Sequence, residues 1–238
     1  MEIQIAVAKV NKYASSESGD TVEVVERPGG GLSVVMADGQ SSGRGAKTIS
    51  TMVVRKVISM LSEGIRDGAA ARAASDYLFI ERKGKVSSTL NIFSVDLQTR
   101  TLVITRNNPA PVMISYGIDR IRVLSEECGP IGLYRDTRPW ISEVPLEAGM
   151  TAIMYTDGLV HAGSRQGENM DLVASLQCLV EENLSAQTIA DALLEQAYKL
   201  DHKRPVDDTS VVVLTVTHQA KDNMRRMSVR LPLDIELE

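Results

Sequence analysis

Leu32-Ser33-Val34-Val35-Met36-Ala37-Asp38-Gly39 is an apolar, β-branched run that ends in an aspartate and a glycine. The turn signal Pro28-Gly29-Gly30-Gly31 bounds it upstream, and residues 21–26 on the far side of that turn read as its hairpin partner. Beyond Gly39 the period changes. From Gly45 onward Ile49, Met52, Val53, Lys56, Val57, Met60 and Leu61 recur at three and four, the spacing of a helix with one buried face. A strand therefore hands over to a helix across a short segment, and a carboxylate stands at the junction.

The rest of the chain is organised in blocks. Ile3, Ile5 and Val7 alternate with Gln4 and Ala6 as a half-buried strand. Residues 67–82 are an alanine-rich second helix that stops at Gly84. Strand-like runs follow at 89–95, 101–105, 111–116, 120–124, 140–144 and 151–155, with turns at 96–99 and 116–119. Two amphipathic helices are expected at 170–181 and 185–200, the second with Ser185 as N-cap. A last strand is expected at 210–217, ahead of a short segment that contains Met224 to Leu231. Strands and helices in blocks, rather than in βαβ alternation, point to an α+β fold with antiparallel sheets. No linker, repeat or low-complexity stretch divides the chain, so one domain is expected over 1–238, its core about 3–217 and an extension at 218–238.

Composition narrows the function classes. The chain has 238 residues, 43% hydrophobic and 24% charged, with a net charge of −5 and a pI near 5.4. That balance offers no basic footprint for nucleic acid or an anionic membrane. No apolar run approaches the roughly 18–20 residues of a membrane-spanning helix. The first residues lack the basic and apolar regions of a signal peptide, which makes the cytoplasm the expected compartment. Cys128 and Cys178 form neither a disulfide framework nor a zinc motif.

Four aspartates carry the chemistry: Asp20 in Ser18-Gly19-Asp20, Asp38 in Asp38-Gly39, Asp157 in Thr156-Asp157-Gly158, and Asp207 in Asp207-Asp208-Thr209-Ser210. Three of them lie where a β run ends or begins. Carboxylates at strand ends beside glycine suit the oxygen ligands of a hard divalent cation. Taken singly, each also reads as an ordinary turn residue.

The ordered set Ser18-Gly19-Asp20, Ala37-Asp38-Gly39 with Ser42-Gly43-Arg44-Gly45-Ala46, Tyr155-Thr156-Asp157-Gly158 and Asp207-Asp208-Thr209-Ser210-Val211 resembles the metal-dependent (PPM, or type 2C) protein serine/threonine phosphatases. Within them it is most similar to the bacterial branch typified by the stage II sporulation protein E catalytic domain and the sigma-factor regulatory phosphatases. Ser88-Thr89-Leu90, Asn107-Asn108-Pro109-Ala110-Pro111, Gly129-Pro130-Ile131-Gly132-Leu133 and Leu146-Glu147-Ala148-Gly149-Met150 add to the likeness, which runs from about Ile5 to Thr217. The resemblance implies a four-layer αββα sandwich: two central antiparallel sheets flanked by helix pairs, with a metal site in a cleft at one edge. It further implies Mn²⁺ or Mg²⁺, as two ions or three. Asp38, Asp157 and Asp207 would be the core ligands, assisted by the Gly39 carbonyl and Asp20. The expected reaction is hydrolysis of phosphoserine or phosphothreonine by a water bridging the ions. The expected partner is a phosphoprotein, by analogy a small bacterial regulatory domain such as an anti-sigma-factor antagonist, with neither nucleic acid nor membrane involved.

Departures from the family pattern bear on mechanism. Gln40 stands where eukaryotic relatives place a histidine as candidate general acid, and glutamine has no titrating proton to give. Asp208, where the wider family often has asparagine, reads as lying behind the ligands, although either neighbour can serve. Lys12 is the nearest basic candidate for a phosphate clamp, against a bland reading as a solvated strand-end lysine. His161 reads as a loop histidine, Arg44 as an anion-holding or solvent-facing side chain at a helix start, and Asn108 as a turn former. Lys221, Arg225, Arg226 and Arg230 read as a solvated basic cluster. A phosphatase-like protein that only binds a phosphoprotein is the competing function, kept open by Gln40 and opposed by the complete aspartate set. The haloacid dehalogenase pattern Asp-x-Asp is absent, and no stretch has EF-hand periodicity.

Overall fold

In a computed structural model, residues 1–117, 120–218 and 222–232 are described. The first strand, β1 (Glu2–Val10), pairs antiparallel with the last, β10 (Thr209–Thr217), along its whole length, Glu2 facing Thr217 and Val10 facing Thr209. On its other side β10 pairs with β9 (Thr151–Tyr155), followed by β6 (Val112–Ser115) and β7 (Ile121–Leu124). The second sheet starts with the hairpin of β2 (Asp20–Glu26) and β3 (Leu32–Gly39), then β4 (Ser88–Asp96), β5 (Thr101–Asn107) and β8 (Trp140–Pro145). Among the described residues each sheet has five strands, and every pairing is antiparallel. The α+β expectation and its αββα layering hold.

The layering follows from three apolar clusters. Val34, Met36, Phe93, Ile104 and Ile114 fill the space between the sheets together with Met154, Val212 and Leu214. Helices α1 (Gly43–Ser62) and α2 (Asp67–Arg82) cover the outer face of the β2–β3 sheet, with Val53, Val54, Val57, Leu61 and Leu78 packed on Val35, Leu90 and Ile92. Helices α4 (Leu172–Glu181) and α5 (Ala186–Leu200) cover the other sheet, with Leu176, Ile189 and Leu193 against Ile153, Val211 and Val213. The alternation in β1 thus serves two cores. Ala6 and Ala8 turn to the helices, and Ile3, Ile5 and Val7 turn to the gap between the sheets.

Two local features differ from the sequence reading. A one-turn helix, α3 (Asp157–Val160), starts at Asp157, and a 3-10 turn at Ser164–Gln166 follows it. Four residues are too few for helical periodicity to show. The helix α1 also starts two residues before Gly45, at Gly43, whose φ of +67° needs a glycine. Ser185 caps α5 as expected, its hydroxyl accepting from the Thr188 N–H at 3.2 Å. The expected turn at 116–119 lies partly outside the described residues, and so does Lys221.

Candidate functional site

Asp20 opens β2 and Asp38 lies near the end of β3, and the hairpin register sets the two directly opposite each other. Opposed side chains on an antiparallel pair lie about 4.5–5.5 Å apart at Cβ. Asp38 is fixed from its other side. Its carbonyl accepts from the Ser88 hydroxyl at 2.7 Å, and its N–H donates to the Thr89 hydroxyl at 3.3 Å. The quoted Ser-Thr-Leu motif therefore works as a backbone clamp on the aspartate.

The other sheet brings its two aspartates to the same edge. Val211 pairs with Tyr155, so the residues just beyond each strand, Asp157 and the Asp207–Asp208 pair, emerge together. Two hydroxyls from this sheet reach across to Asp20. Thr156 donates to Asp20 Oδ2 at 3.0 Å and Ser210 donates to the same oxygen at 2.6 Å. The other Asp20 oxygen, Oδ1, is buried with no hydrogen-bond partner. A buried carboxylate oxygen left so is costly, unless something positive joins it.

Glycines permit the close approach. A side chain at Gly39 would bring a Cβ within 2.0 Å of the Ala46 carbonyl oxygen in α1, and one at Gly158 would come within 2.2 Å of the Asp208 carbonyl oxygen. The Asp-Gly pairs are therefore packing requirements rather than turns, one ending β3 and the other opening α3.

Burial and mutual repulsion outweigh the nearby lysines in the electrostatics of the cluster. Burial, with Asp20, Asp157, Asp207 and Asp208 nearby, pushes the Asp38 carboxyl up to about 9. Burial raises Asp20 to about 6 against the opposing Ser210 and Thr156 hydrogen bonds and Lys9. Burial and Asp207 raise Asp157 as well.

Residues 28–217 match the family described as Stage II sporulation protein E (SpoIIE). The chain belongs to the SpoIIE family. It is 24% identical to Stage II sporulation protein E of Bacillus subtilis (strain 168) over 216 residues, 91% of this chain and 26% of that protein, so it spans about a quarter of that relative. Its fold superimposes with a TM-score of 0.78 on the PP2C phosphatase domain and regulatory-domain fragment of SpoIIE from Bacillus subtilis, at 24% identity, covering 91% of this chain and 64% of that one. RsbX in complex with magnesium gives a TM-score of 0.69 at 16% identity, covering 90% and 96%. The fold is that of the PP2C phosphatase domain of that SpoIIE structure.

A SpoIIE-family fold implies divalent metal, and the donor set fits one: all its candidate ligands are oxygens, one of them an orphaned buried carboxylate oxygen. Among the described residues no three carboxylate, imidazole or thiol side chains are already placed to hold a single ion. The aspartates lie near one another where the two sheets meet at one edge.

The remaining expected residues fall into place individually. Asp208 is engaged on both oxygens, accepting from the Lys12 N–H at 2.9 Å and the Gly19 N–H at 2.8 Å. It ties the β1–β2 loop to the start of β10. The Lys12 ammonium stands 3.6 Å from Asp207, at the rim of the cluster. Gln40 is clipped to Ser87, its backbone N–H donating to the Ser87 carbonyl and its Oε1 accepting from the Ser87 N–H at 2.9 Å. His161 donates its backbone N–H to the Asp157 carbonyl. Arg44 is 93% exposed and faces Glu17 at 3.8 Å. Asn108 does more than shape a turn: its Oδ1 accepts from the Ala110 N–H, and its Nδ2 donates to the Tyr155 carbonyl just ahead of Asp157.

Sequence reading missed Lys9 and Lys47, whose ammonium groups converge on the Asp20 carbonyl, Lys47 also donating to the Thr21 hydroxyl at 2.9 Å. The signal was present for one of them. Lys9 continues the Ile3, Ile5, Val7 parity that faces the gap between the sheets, where a lysine needs a reason. Nothing in the spacing of α1 marks Lys47.

Proposed function

We propose that this chain is a Mn²⁺- or Mg²⁺-dependent protein phosphatase that hydrolyses phosphoserine or phosphothreonine in a small regulatory protein. The observation that carries this reading is that Asp20, Asp157 and Asp207, drawn from both sheets, lie close enough to Asp38 to help push its carboxyl up to about 9. In this reading Asp38, Asp157 and Asp207 hold the metal, with the Gly39 carbonyl and Asp20 assisting. Asp20 is aligned by Thr156 and Ser210, and such outer partners of ligands commonly matter to metal affinity. Bound divalent ions supply the Lewis acidity that lowers the pKa of a water and neutralises charge on the phosphoryl group. Lys12 is placed to meet a phosphate at the rim, and Gln40, clipped to Ser87, holds the β3–β4 edge and moves no proton. The residues from about 3 to 217 form the catalytic unit. A sigma-factor regulatory context supports a phosphorylated bacterial regulatory domain as substrate. The likeness to RsbX, a protein seen with magnesium, supports the metal.

Hydrolysis of a phosphoserine peptide with Mn²⁺, with EDTA and Asp38→Asn as controls, tests the proposal. Turnover that disappears in both controls supports it. A folded protein that binds Mn²⁺ and the phosphoprotein without turnover points instead to the binding-only reading.

A further inference from the structure

Two lysines from different layers of the fold meet at Asp20. Lys9 lies on β1, directly opposite Ser210 of β10, whose hydroxyl donates to the Asp20 carboxylate. Lys47 lies near the start of α1, on the outer face of the β2–β3 sheet. The strand register explains why both find the same oxygen. Asp38 spends its N–H and carbonyl on Thr89 and Ser88 of β4. Asp20, its opposite, therefore also turns its backbone groups away from their shared pair. There the Asp20 carbonyl accepts from both ammonium groups, and the Thr21 hydroxyl holds Lys47 a second time at 2.9 Å.

By itself this arrangement is unfavourable, because two like charges gather on one neutral oxygen. Among the described residues neither lysine forms an ion pair with a carboxylate. Burial and the neighbouring Lys47 together hold the Lys9 ammonium below its ordinary range. The offsetting attraction comes through space from the aspartates. Asp20, Asp208 and Asp38 all act on Lys9, and Lys9 in turn acts on Asp20. The lysines thus give the cluster positive charge while bonding to the backbone, and Asp20 Oδ1 is left without a hydrogen-bond partner.

Resting on the metal reading above, we propose that Lys9 and Lys47 are the tethered counter-charge of the metal-free aspartate cluster and lower its affinity for divalent ions. Two effects of opposite sign follow. Without a bound ion the lysines relieve repulsion among the carboxylates and so stabilise the fold. An incoming ion meets their positive field, which weakens its binding. A divalent ion feels that field at about twice the strength of a proton competing for the same oxygens, so the sign holds at neutral pH. Lys9 is solvent-exposed and Lys47 half-buried, so water screens the field and keeps the effect modest. A purely structural role for the two side chains makes the contrary prediction: their loss would loosen Asp20 and weaken the metal.

Calorimetric titration of the full chain with Mn²⁺, beside thermal unfolding in EDTA, tests this on Lys9→Met, Lys47→Met and a Lys9→Arg/Lys47→Arg double variant. Circular dichroism checks that each is folded, and Lys199→Met on α5, far from the cluster in the fold, is the control. The expected result is Mn²⁺ affinity about three- to tenfold tighter in each Met variant, with a lower Tm in EDTA. The double Arg variant keeps the charge and should bind as the wild type does, as should Lys199→Met. Met variants that bind Mn²⁺ no more tightly than a wild type that does bind it overturn the proposal and leave the metal reading standing. So do Met variants as stable as wild type in EDTA, or a double Arg variant that tightens as much as the Met variants. A folded wild type that takes up no Mn²⁺ overturns the metal reading and this proposal with it.

Discussion

Replacing Asp38 with asparagine should stabilise the metal-free protein while destroying its response to metal. Asp38 is pushed up to about 9 by burial and four neighbouring carboxylates, whereas an unfolded chain releases that proton near 4. Between those values the folded state holds a proton that the unfolded state has lost, so metal-free stability falls as pH rises through this window. At pH 7 the window entered is about three pH units, at ~1.4 kcal/mol each, an upper bound near 4 kcal/mol. Solvent at a carboxyl that is only partly buried screens this to about 2 kcal/mol. Asparagine carries no such penalty. At about 2–4 °C per kcal/mol for a chain of this size, Asp38→Asn should raise the metal-free Tm at pH 7 by about 4–8 °C, with the gain shrinking towards pH 5. Scanning fluorimetry in EDTA, then with 1 mM Mn²⁺, reads both effects: a Mn²⁺-dependent rise in Tm in the wild type and none in the variant. A variant less stable than wild type in EDTA, or one that still gains stability from Mn²⁺, would refute the reasoning.

Ser210→Ala removes the shorter of the two hydroxyl donors to Asp20. Loss of a hydrogen bond to a charged group should cost about 1–3 kcal/mol, and Mn²⁺ affinity, read by titration, should fall about 10–100-fold. Gly39→Ala would drive a Cβ into the Ala46 carbonyl oxygen at 2.0 Å, and a loss above ~3 kcal/mol by denaturant unfolding is expected. Gly45→Ala, in α1 with nothing within 4 Å of the new atom, should instead gain about 0.5–1 kcal/mol. Gln40→Ala breaks the clip to Ser87 and should cost about 1 kcal/mol. If Gln40 moves no proton, kcat should change little, and a collapse of kcat with intact Mn²⁺ binding would contradict that role.

Much of the fold was legible because its signals are local. Alternation and β-branching placed the strands, three-four spacing placed α1, alanine richness placed α2, and amphipathic patterning placed α4 and α5. The block order excluded a parallel sheet, whereas the layered sandwich came from resemblance. Several features were not legible, since their causes are distant in sequence or too short. The Thr156 and Ser210 bonds to Asp20 join residues 136 and 190 positions apart, across the two stacked sheets. Asp157 read as a strand end because a single helical turn has no periodicity to detect. Asp208 read as lying behind the ligands from its neighbourhood alone. The geometry gives a physical content to that reading: both its oxygens are spent on the backbone of the β1–β2 loop.

In the proposed function these aspartates make a metal-dependent phosphatase. The most direct test is turnover of a phosphoserine peptide by the purified protein with Mn²⁺. The expected result is release of phosphate that stops with EDTA and in Asp38→Asn. Phosphate release that persists in EDTA, or an Asp38→Asn variant as active as wild type, would contradict it.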